Sequence, residues 1–258
     1  MTIQVVDISA LGIVCAADSA ITFEGSHRTN QGSWPKLFPI ESLRAVIGYY
    51  GYANVGNQTM PNWLRRSLLR IQANSLDELA FELGEKLDRE WIRPPRNDGT
   101  GFHLAGITVL DQVNVPCFYH IWNHNGVDGG YKATGLGFQV TSDFLGRDAA
   151  KYVPRDLDRF FEKKWSQVYR NGALRVYSNL ACSLYDFTKR VWEKGLIQRP
   201  ERIEDWAWHY RFQLETVKSM YKYLPTKGPP LIGRKILIYT IDPEGEIQKL
   251  PSHRRKVP

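Results

Sequence analysis

Residues 11–22 read LGIVCAADSAIT, an apolar run that ends in an aspartate. The run is nearly all apolar, so it predicts a strand that is buried on both faces, with Asp18 where the strand ends. Aspartate is common in turns, and a strand-end turn is one interpretation of Asp18. A second interpretation depends on the two stretches on either side, because each carries a residue with which an acid at this position could work.

The stretch before it is MTIQVV at residues 1–6. Its alternating apolar residues predict a first strand. Because the Thr2 side chain is small, methionine aminopeptidase would remove Met1 and leave a free α-amine on Thr2. Such an amine has a pKa of about 7.7–8.0 and could act as the general base for the hydroxyl of the same residue. Thr2 as an ordinary strand residue is the alternative.

The stretch after it is WPKLFPI at residues 34–40, where Lys36 interrupts apolar residues and a short strand is predicted. A buried ammonium group needs a partner, and Asp18 would supply one. A lysine near the hydroxyl of Thr2 would lower the free energy of forming an alkoxide. An aspartate beside that lysine would keep it charged and oriented.

Together these stretches resemble the start of a proteasome β-type subunit, in the N-terminal-nucleophile hydrolase superfamily. The matching features, in order, are Thr2, AADSAIT at 16–22, KLFPI at 36–40 and VIGYYG at 46–51. Asp18 follows Thr2 by sixteen residues, as in active members. Lys36 comes two residues later than in the shortest members, with the extra length in the polar loop before it. Beyond Gly51 the resemblance is weaker and is nearest to bacterial proteasome-like proteins such as Anbu and the β-proteasome homologues.

The resemblance implies catalytic roles for three of these residues. Thr2 would be the nucleophile and its amine the base. Lys36 would be the positive charge that lowers the pKa of the nucleophile, and Asp18 would orient that lysine. The implied enzyme is a threonine-type peptidase that forms an ester with the substrate and needs neither a metal ion nor an organic cofactor.

The resemblance also implies an oxyanion site and a substrate pocket. Gly51 matches the turn whose backbone N–H binds the oxyanion, and glycine suits a place where the backbone approaches the substrate. Gly48 is the alternative, as the residue that holds the geometry of this turn. Ser19 and Ala20 follow the aspartate where members of the family line the substrate pocket.

Two positions depart from the family pattern. Leu136, between Gly135 and Gly137, stands where active members have a serine that assists the threonine amine. Pro229 and Ile232 stand roughly where an aspartate and a serine are expected. Without those groups the amine would lose hydrogen bonds that set its position. The alternative to a hydrolase is therefore an inactive scaffold or binding subunit that retains Met1.

The period of the apolar residues predicts an α+β chain: strands, two helices at 57–74 and 76–91, strands, long helices over 141–224, and final strands. Helices with one apolar face should pack on antiparallel sheets. The resemblance implies the four-layer αββα sandwich of the proteasome subunit, here with an enlarged C-terminal helical layer. We expect a single domain over 1–258 with a basic tail at 251–258.

The composition of the chain indicates the compartment in which we expect the protein. The chain has 258 residues and is 43% hydrophobic, which is enough for a substantial core. No window is apolar for long enough to span a membrane, and the first residues lack the charged and apolar regions of a secretory signal. Three separated cysteines, Cys15, Cys117 and Cys182, fit buried thiols in a reducing compartment better than a metal site or disulfides. We expect a cytoplasmic protein.

The formal charge of +7 raises the question of nucleic acid as a partner. The basic residues are scattered, except in the tail at 253–256, and no nucleic-acid-binding motif is present, so we expect no such partner. The resemblance instead implies a ring-shaped or helical homo-oligomer with its sites inside. Peptide or unfolded protein would be the substrate, with an unfoldase or a gating protein as a further partner.

Overall fold

The computed structural model describes the following parts of the chain: residues 3–22, 29–30, 34–92, 99–125, 132–143, 166–172, 174–198, 200–224, 232–233 and 235–252. Three features of the sequence lie outside these residues: Thr2, Pro229 and the basic residues 253–256.

The described strands are β1 (Ile3–Ser9), β2 (Gly12–Asp18), β3 (Ile21–Thr22), β4 (Thr29–Asn30), β5 (Leu37–Ile40), β6 (Ala45–Gly51), β7 (Asn54–Val55), β8 (Gln58–Thr59), β9 (Thr100–Leu110), β10 (Val113–Trp122), β11 (His124–Asn125), β12 (Lys132–Ala133), β13 (Gln139–Asp143), β14 (Ser166–Gly172), β15 (Ile236–Ile241) and β16 (Ile247–Lys249). The described helices are α1 (Met60–Arg70), α2 (Leu76–Glu90), α3 (Leu174–Glu193) and α4 (Ile203–Tyr223), with a 3₁₀ turn at Glu41–Leu43.

Two five-stranded sheets form the centre of the molecule. The first sheet has the strand order β14-β1-β2-β15-β16, and the second has the order β13-β10-β9-β6-β5. Every neighbouring pair in both sheets is antiparallel. The α+β class with antiparallel sheets is therefore confirmed.

Three apolar clusters show what each sheet face packs against. The first cluster joins α1 and α2 to the second sheet, through residues such as Trp63, Leu83 and Phe102. The second joins α4 to the first sheet, through residues such as Val5 and Leu214. The third lies between the two sheets and is built from both. The core of the described residues thus consists of three apolar clusters that involve the two sheets and the helices.

Side-chain hydrogen bonds cap the beginning of α2. The Ser75 hydroxyl accepts a hydrogen bond from the Glu78 backbone N–H at 3.1 Å. The Glu78 carboxylate accepts one from the Asn74 backbone N–H at 2.7 Å. These two bonds satisfy N–H groups that the first helical turn cannot pair internally, so the helix start is set locally.

The prediction of long helices over 141–224 is wrong in two places. β13 extends to Asp143, and residues 166–172 form β14, which pairs with β1 along seven residues from Ile3↔Gly172 to Ser9↔Ser166. The apolar spacing of residues 156–169 predicts a helix there, of which residues 156–165 lie outside the described part of the chain and 166–169 belong to β14. Pairing with a distant strand overrides such a local preference, because it satisfies the backbone groups and buries one side-chain face at the same time. Helices α3 and α4 lie where the sequence predicts them.

Candidate active site

The Asp18 carboxylate is fully enclosed by donors. Its Oδ1 accepts from the Ile3 backbone N–H at 2.8 Å and lies 3.3 Å from Nζ of Lys36. Its Oδ2 accepts from the backbone N–H groups of Ala20 at 2.8 Å and Gly233 at 2.7 Å. A carboxylate that accepts several hydrogen bonds is held in one orientation as an anion. Asp18 therefore joins the beginning of β1, the end of β2 and the segment before β15.

Lys36 is the cationic partner of this carboxylate. Only 1% of its surface is exposed, and its ammonium also donates to the carbonyl oxygen of Ala20. Burial lowers the pKa of Lys36, and the nearby Asp18 carboxylate opposes that shift. The sequence-based expectation that Asp18 and Lys36 form a pair is met by this contact. The Lys36 ammonium is therefore buried and held in position by oxygen atoms of Asp18 and Ala20.

The position of Asp18 follows from strand register. It is the last residue of β2 and lies opposite Ile236, the first residue of β15. Gly233 comes just before that strand, and a Cβ atom on it would collide with the backbone N of Ala20 and lie 2.8 Å from Oγ of Ser19. The Ser19 hydroxyl accepts from the Lys235 backbone N–H at 3.1 Å. The segment before β15 is thus seated directly on the turn that follows Asp18.

Gly51 and Gly48 differ in geometry. Gly51 ends β6 with φ +83°, a conformation that favours glycine, and a Cβ there would lie 2.5 Å from the Gly99 carbonyl oxygen. Gly48 lies inside β6, opposite Leu37, and a Cβ there would collide with the side-chain amide of Gln4. Gly51 therefore has the turn geometry, whereas Gly48 makes room for a side chain of the first sheet.

Thr2 itself lies outside the described residues. The peptide nitrogen that joins it to Ile3 donates to Asp18. Ser19 and Ala20, which we expected in the substrate pocket, are buried and bonded within the protein. Their part in substrate binding stays a prediction.

The two departures from the family pattern have different locations. Leu136 is 77% exposed, in a turn that is tied to α2 by a 2.6 Å hydrogen bond from the Phe138 N–H to Asp88. Ile232 is buried in the cluster between the first sheet and α4, next to the residue that bonds to Asp18. The segment around Ile232 therefore reaches the site through backbone, although its side chain is apolar.

The sequence did not indicate a role for Gly233 or for three histidines, two of them buried and one partly exposed. Gly233 could have been noticed as the glycine of LIGRK, directly before the last long strand. The histidines, His103, His120 and His124, come from β9, β10 and β11 and meet Tyr50 between the sheets. No spacing rule brings these residues together, because their proximity depends on the pairing of three strands.

The described part of the chain also bears on two features, metal-ligand groups and membrane-spanning helices. There, no group of three or more His, Cys, Asp and Glu side chains is placed so that it could hold a metal ion. None of the helices in those residues has both the length and the apolar character that crossing a bilayer requires.

Comparison with known proteins identifies the fold. No family model matches the chain, and no curated protein matches it in sequence. Among solved structures, Anbu (ancestral beta-subunit) from Yersinia bercovieri is similar with a TM-score of 0.53 and 11% identity, covering 98% of this chain and 88% of that one. Anbu from Hyphomicrobium sp. strain MC1 is similar with a TM-score of 0.50 and 12% identity, covering 98% and 89%.

A Gly-1 mutant of the Hyphomicrobium Anbu gives the same result, with a TM-score of 0.50, 11% identity, and coverage of 99% and 89%. The similarity extends over almost the whole chain. The chain therefore has the Anbu-type, proteasome-like fold that its first fifty residues resemble.

Proposed function

We propose that this protein is an N-terminal-nucleophile hydrolase that cleaves peptide or other amide bonds with Thr2 after removal of Met1. The observation that carries the proposal is the contact of the Asp18 carboxylate with both the Ile3 backbone N–H and the Lys36 ammonium. The Lys36 ammonium and the Ile3 N–H therefore meet at the same carboxylate oxygen, and Ile3 directly follows Thr2 in the sequence.

The reaction has two steps. In the first, the Thr2 amine takes the proton of the Thr2 hydroxyl while Oγ attacks the substrate carbonyl, and the leaving amine receives that proton as the amide bond breaks. This step leaves an ester on Oγ. In the second, the same amine takes a proton from water, which attacks the ester, and the hydroxyl is restored as the acid product leaves. Lys36 would stabilise the developing alkoxide, and the Gly51 N–H would bind the oxyanion.

Several finer features belong to the same proposal. The helical and sheet layers would form the four-layer αββα sandwich, which the three apolar clusters support. The protein would assemble into a ring or a helical homo-oligomer in a bacterial cytoplasm, and Ser19 and Ala20 would line the substrate pocket. Peptides or unfolded protein would be the substrates, with no cofactor.

An inactive scaffold that retains Met1 is the second candidate. It is favoured by one observation: Leu136 stands where active members of the family have an assisting serine, and its side chain is exposed in a turn bonded to α2. In this alternative, the Asp18–Lys36 pair is purely structural and ties β1, β2 and the segment before β15 together.

Intact mass spectrometry followed by covalent trapping separates the two candidates. The hydrolase requires that protein from its native host lacks Met1 and forms an adduct with a peptide epoxyketone or vinyl sulfone. Thr2→Ala should lose the adduct, and Thr2→Ser, which keeps a hydroxyl and an amine, should retain it. Retained Met1, or a free amine that forms no adduct, would establish the scaffold. Sedimentation velocity of the same sample tests the homo-oligomer.

A further inference from the structure

A layer of polar side chains lies between the two sheets, among apolar residues. The first sheet contributes Gln4 from β1 and Asn171 from β14, which are direct partners across these strands. The second sheet and the strand after β10 contribute aromatic groups. We call these residues the inter-sheet cluster: Gln4, Tyr50, His103, His120, His124 and Asn171. All are buried except His120, which is partly exposed.

At two glycines, the lack of a side chain lets Tyr50 and His124 lie close to the backbone. A Cβ at Gly101 would collide with the Tyr50 ring, so only glycine lets the ring lie across β9. Beyond that strand, the Tyr50 hydroxyl contacts Nε2 of His120 and lies 2.9 Å from Nε2 of His124. A Cβ at Gly99 would lie 2.5 Å from the Cβ of His124, so glycine there lets this histidine approach. The tyrosine therefore joins β6 to β10 and to β11.

The proton pattern of the cluster follows from these contacts. A tyrosine hydroxyl has one proton, so it donates to one of the two Nε2 atoms and accepts from the other. His120 and His124 must then be opposite tautomers. Asn171 Nδ2 lies 2.5 Å from Nε2 of His103, which therefore accepts and carries its proton on Nδ1. The Tyr50 hydroxyl is held from two sides by the Nε2 atoms of His120 and His124.

Burial lowers the pKa of two of these histidines. For His120, burial together with a smaller contribution from His124 lowers the pKa to about 3. Burial also lowers the pKa of His103 well below its usual value, with additions from His120 and His124. The first sheet faces the cluster with the uncharged amides of Gln4 and Asn171 and with no stabilising carboxylate among the described residues of the cluster.

The backbone of Tyr50 is the link to the candidate oxyanion turn. The Thr100 hydroxyl donates to the Tyr50 carbonyl at 2.6 Å and lies 3.1 Å from the carbonyl of Tyr52. The Tyr52 N–H donates to the Gly99 carbonyl at 3.0 Å. The residues on both sides of Gly51 are thus held by β9 and by the segment before it, while the side chain of Tyr50 is fixed by two histidines.

We propose that Tyr50, held by His120 and His124, is the positioning residue that fixes the Gly51 turn for oxyanion binding. The proposal rests on the proposed function, because it concerns the N–H that would stabilise the tetrahedral intermediate. A donor of this kind stabilises the transition state only if it already points at the site where the charge develops. Glycine gives the turn freedom to move, so the order must come from its neighbours.

The test measures hydrogen exchange and kinetics on the full assembled protein with a free Thr2 amine. Tyr50→Phe keeps the ring and removes the hydroxyl, so we expect backbone amides in the peptide covering residues 48–54 to exchange at least about tenfold faster. Hydrolysis of a peptide-amide reporter should lose at least about tenfold in kcat, with KM unchanged. Tyr210→Phe is the matched control, because it also loses a buried tyrosine hydroxyl hydrogen bond, but on α4. It should leave exchange at 48–54 within about twofold of wild type.

A second pair of variants keeps the test decisive if Tyr50→Phe does not fold. His120→Gln retains a side-chain polar atom near the position of Nε2 and should restore near-wild-type exchange, whereas His120→Leu should behave as Tyr50→Phe. Unchanged exchange at 48–54 in both Tyr50→Phe and His120→Leu would overturn the proposal, as would faster exchange with unchanged kcat. If the wild type forms no adduct and has no activity, the proposed hydrolase fails, and the exchange data alone still decide whether Tyr50 positions the turn.

Discussion

The backbone N–H of Gly233 donates to Oδ2 of Asp18 at 2.7 Å, across 215 positions of the chain. The bond makes the end of β2 and the segment before β15 a single unit. The same carboxylate serves three backbone donors and one ammonium group. Stability and the candidate chemistry therefore depend on the same side chain.

Gly233→Ala should lower the free energy of unfolding by about 1–3 kcal/mol, the usual range for overpacking a tight site. The added Cβ would collide with the backbone N of Ala20 and lie 2.8 Å from the backbone carbon of Ser19, neither of which is the flexible end of a side chain. Urea unfolding measures the change. Gly195→Ala is a useful contrast, because no atom lies near its Cβ and only its φ of +67° opposes the side chain. Wild-type stability of Gly233→Ala would show that this contact is loose.

The two members of the buried ion pair should differ in their effect on stability. Asp18→Ala removes the anionic partner of a buried ammonium and the acceptor of three backbone N–H groups, and we expect a loss of about 3–5 kcal/mol. Lys36→Met leaves the carboxylate with its three backbone donors, so we expect a smaller loss of about 1–3 kcal/mol. Chemical denaturation of both variants at pH 7 gives the order. The reverse order would mean that the ammonium, and not the carboxylate, organises the site.

Asp7 should make the protein less stable as the pH rises. Burial raises the pKa of Asp7 to about 6, although its Oδ2 accepts from Trp206 at 2.7 Å and from Tyr210. An acid with a raised pKa binds protons more tightly in the folded state, so its contribution is largest below pH 3.8 and is lost as the pH rises through 6. The shift corresponds to about 3 kcal/mol.

Asp7→Asn removes this titration and keeps a carbonyl oxygen for both donors. The difference in unfolding free energy between variant and wild type should therefore move by about 3 kcal/mol in favour of the variant between pH 4 and pH 8. Urea unfolding across that range measures it. A difference that stays constant with pH would show that Asp7 titrates normally in the folded protein.

His120 should make the protein less stable as the pH falls. Its pKa is lowered from 6.5 to about 3, so the folded state disfavours the protonated form. Its contribution to stability is complete above pH 6.5 and is lost as the pH falls toward 3. Relative to His120→Gln, the wild type should lose about 2 kcal/mol between pH 6.5 and pH 4.5. Parallel acid-unfolding curves for the two proteins would contradict this.

Some contacts of these residues could be predicted from the sequence and others could not. Asp7 reads as one polar residue in an alternating strand, and nothing nearby in sequence indicates that Trp206 and Tyr210 bond to it. Asp18 and Lys36 were predicted as a pair, because an acid after one buried strand and a lysine inside another both need partners. The helical prediction for residues 156–169 is wrong at residues 166–169, because local apolar spacing does not show that this segment pairs with the distant strand β1.

The sequence by itself determined the α+β class, the places of the four described helices and the likeness of residues 2–51 to a proteasome subunit. These depend on side-chain period and short motifs, which are local properties. Only the tertiary structure decided that Gly233 bonds to Asp18, that β14 lies beside β1, and that Tyr50 meets two histidines. Such contacts depend on strand register and on which faces are buried together, and both are set by packing between distant parts of the chain.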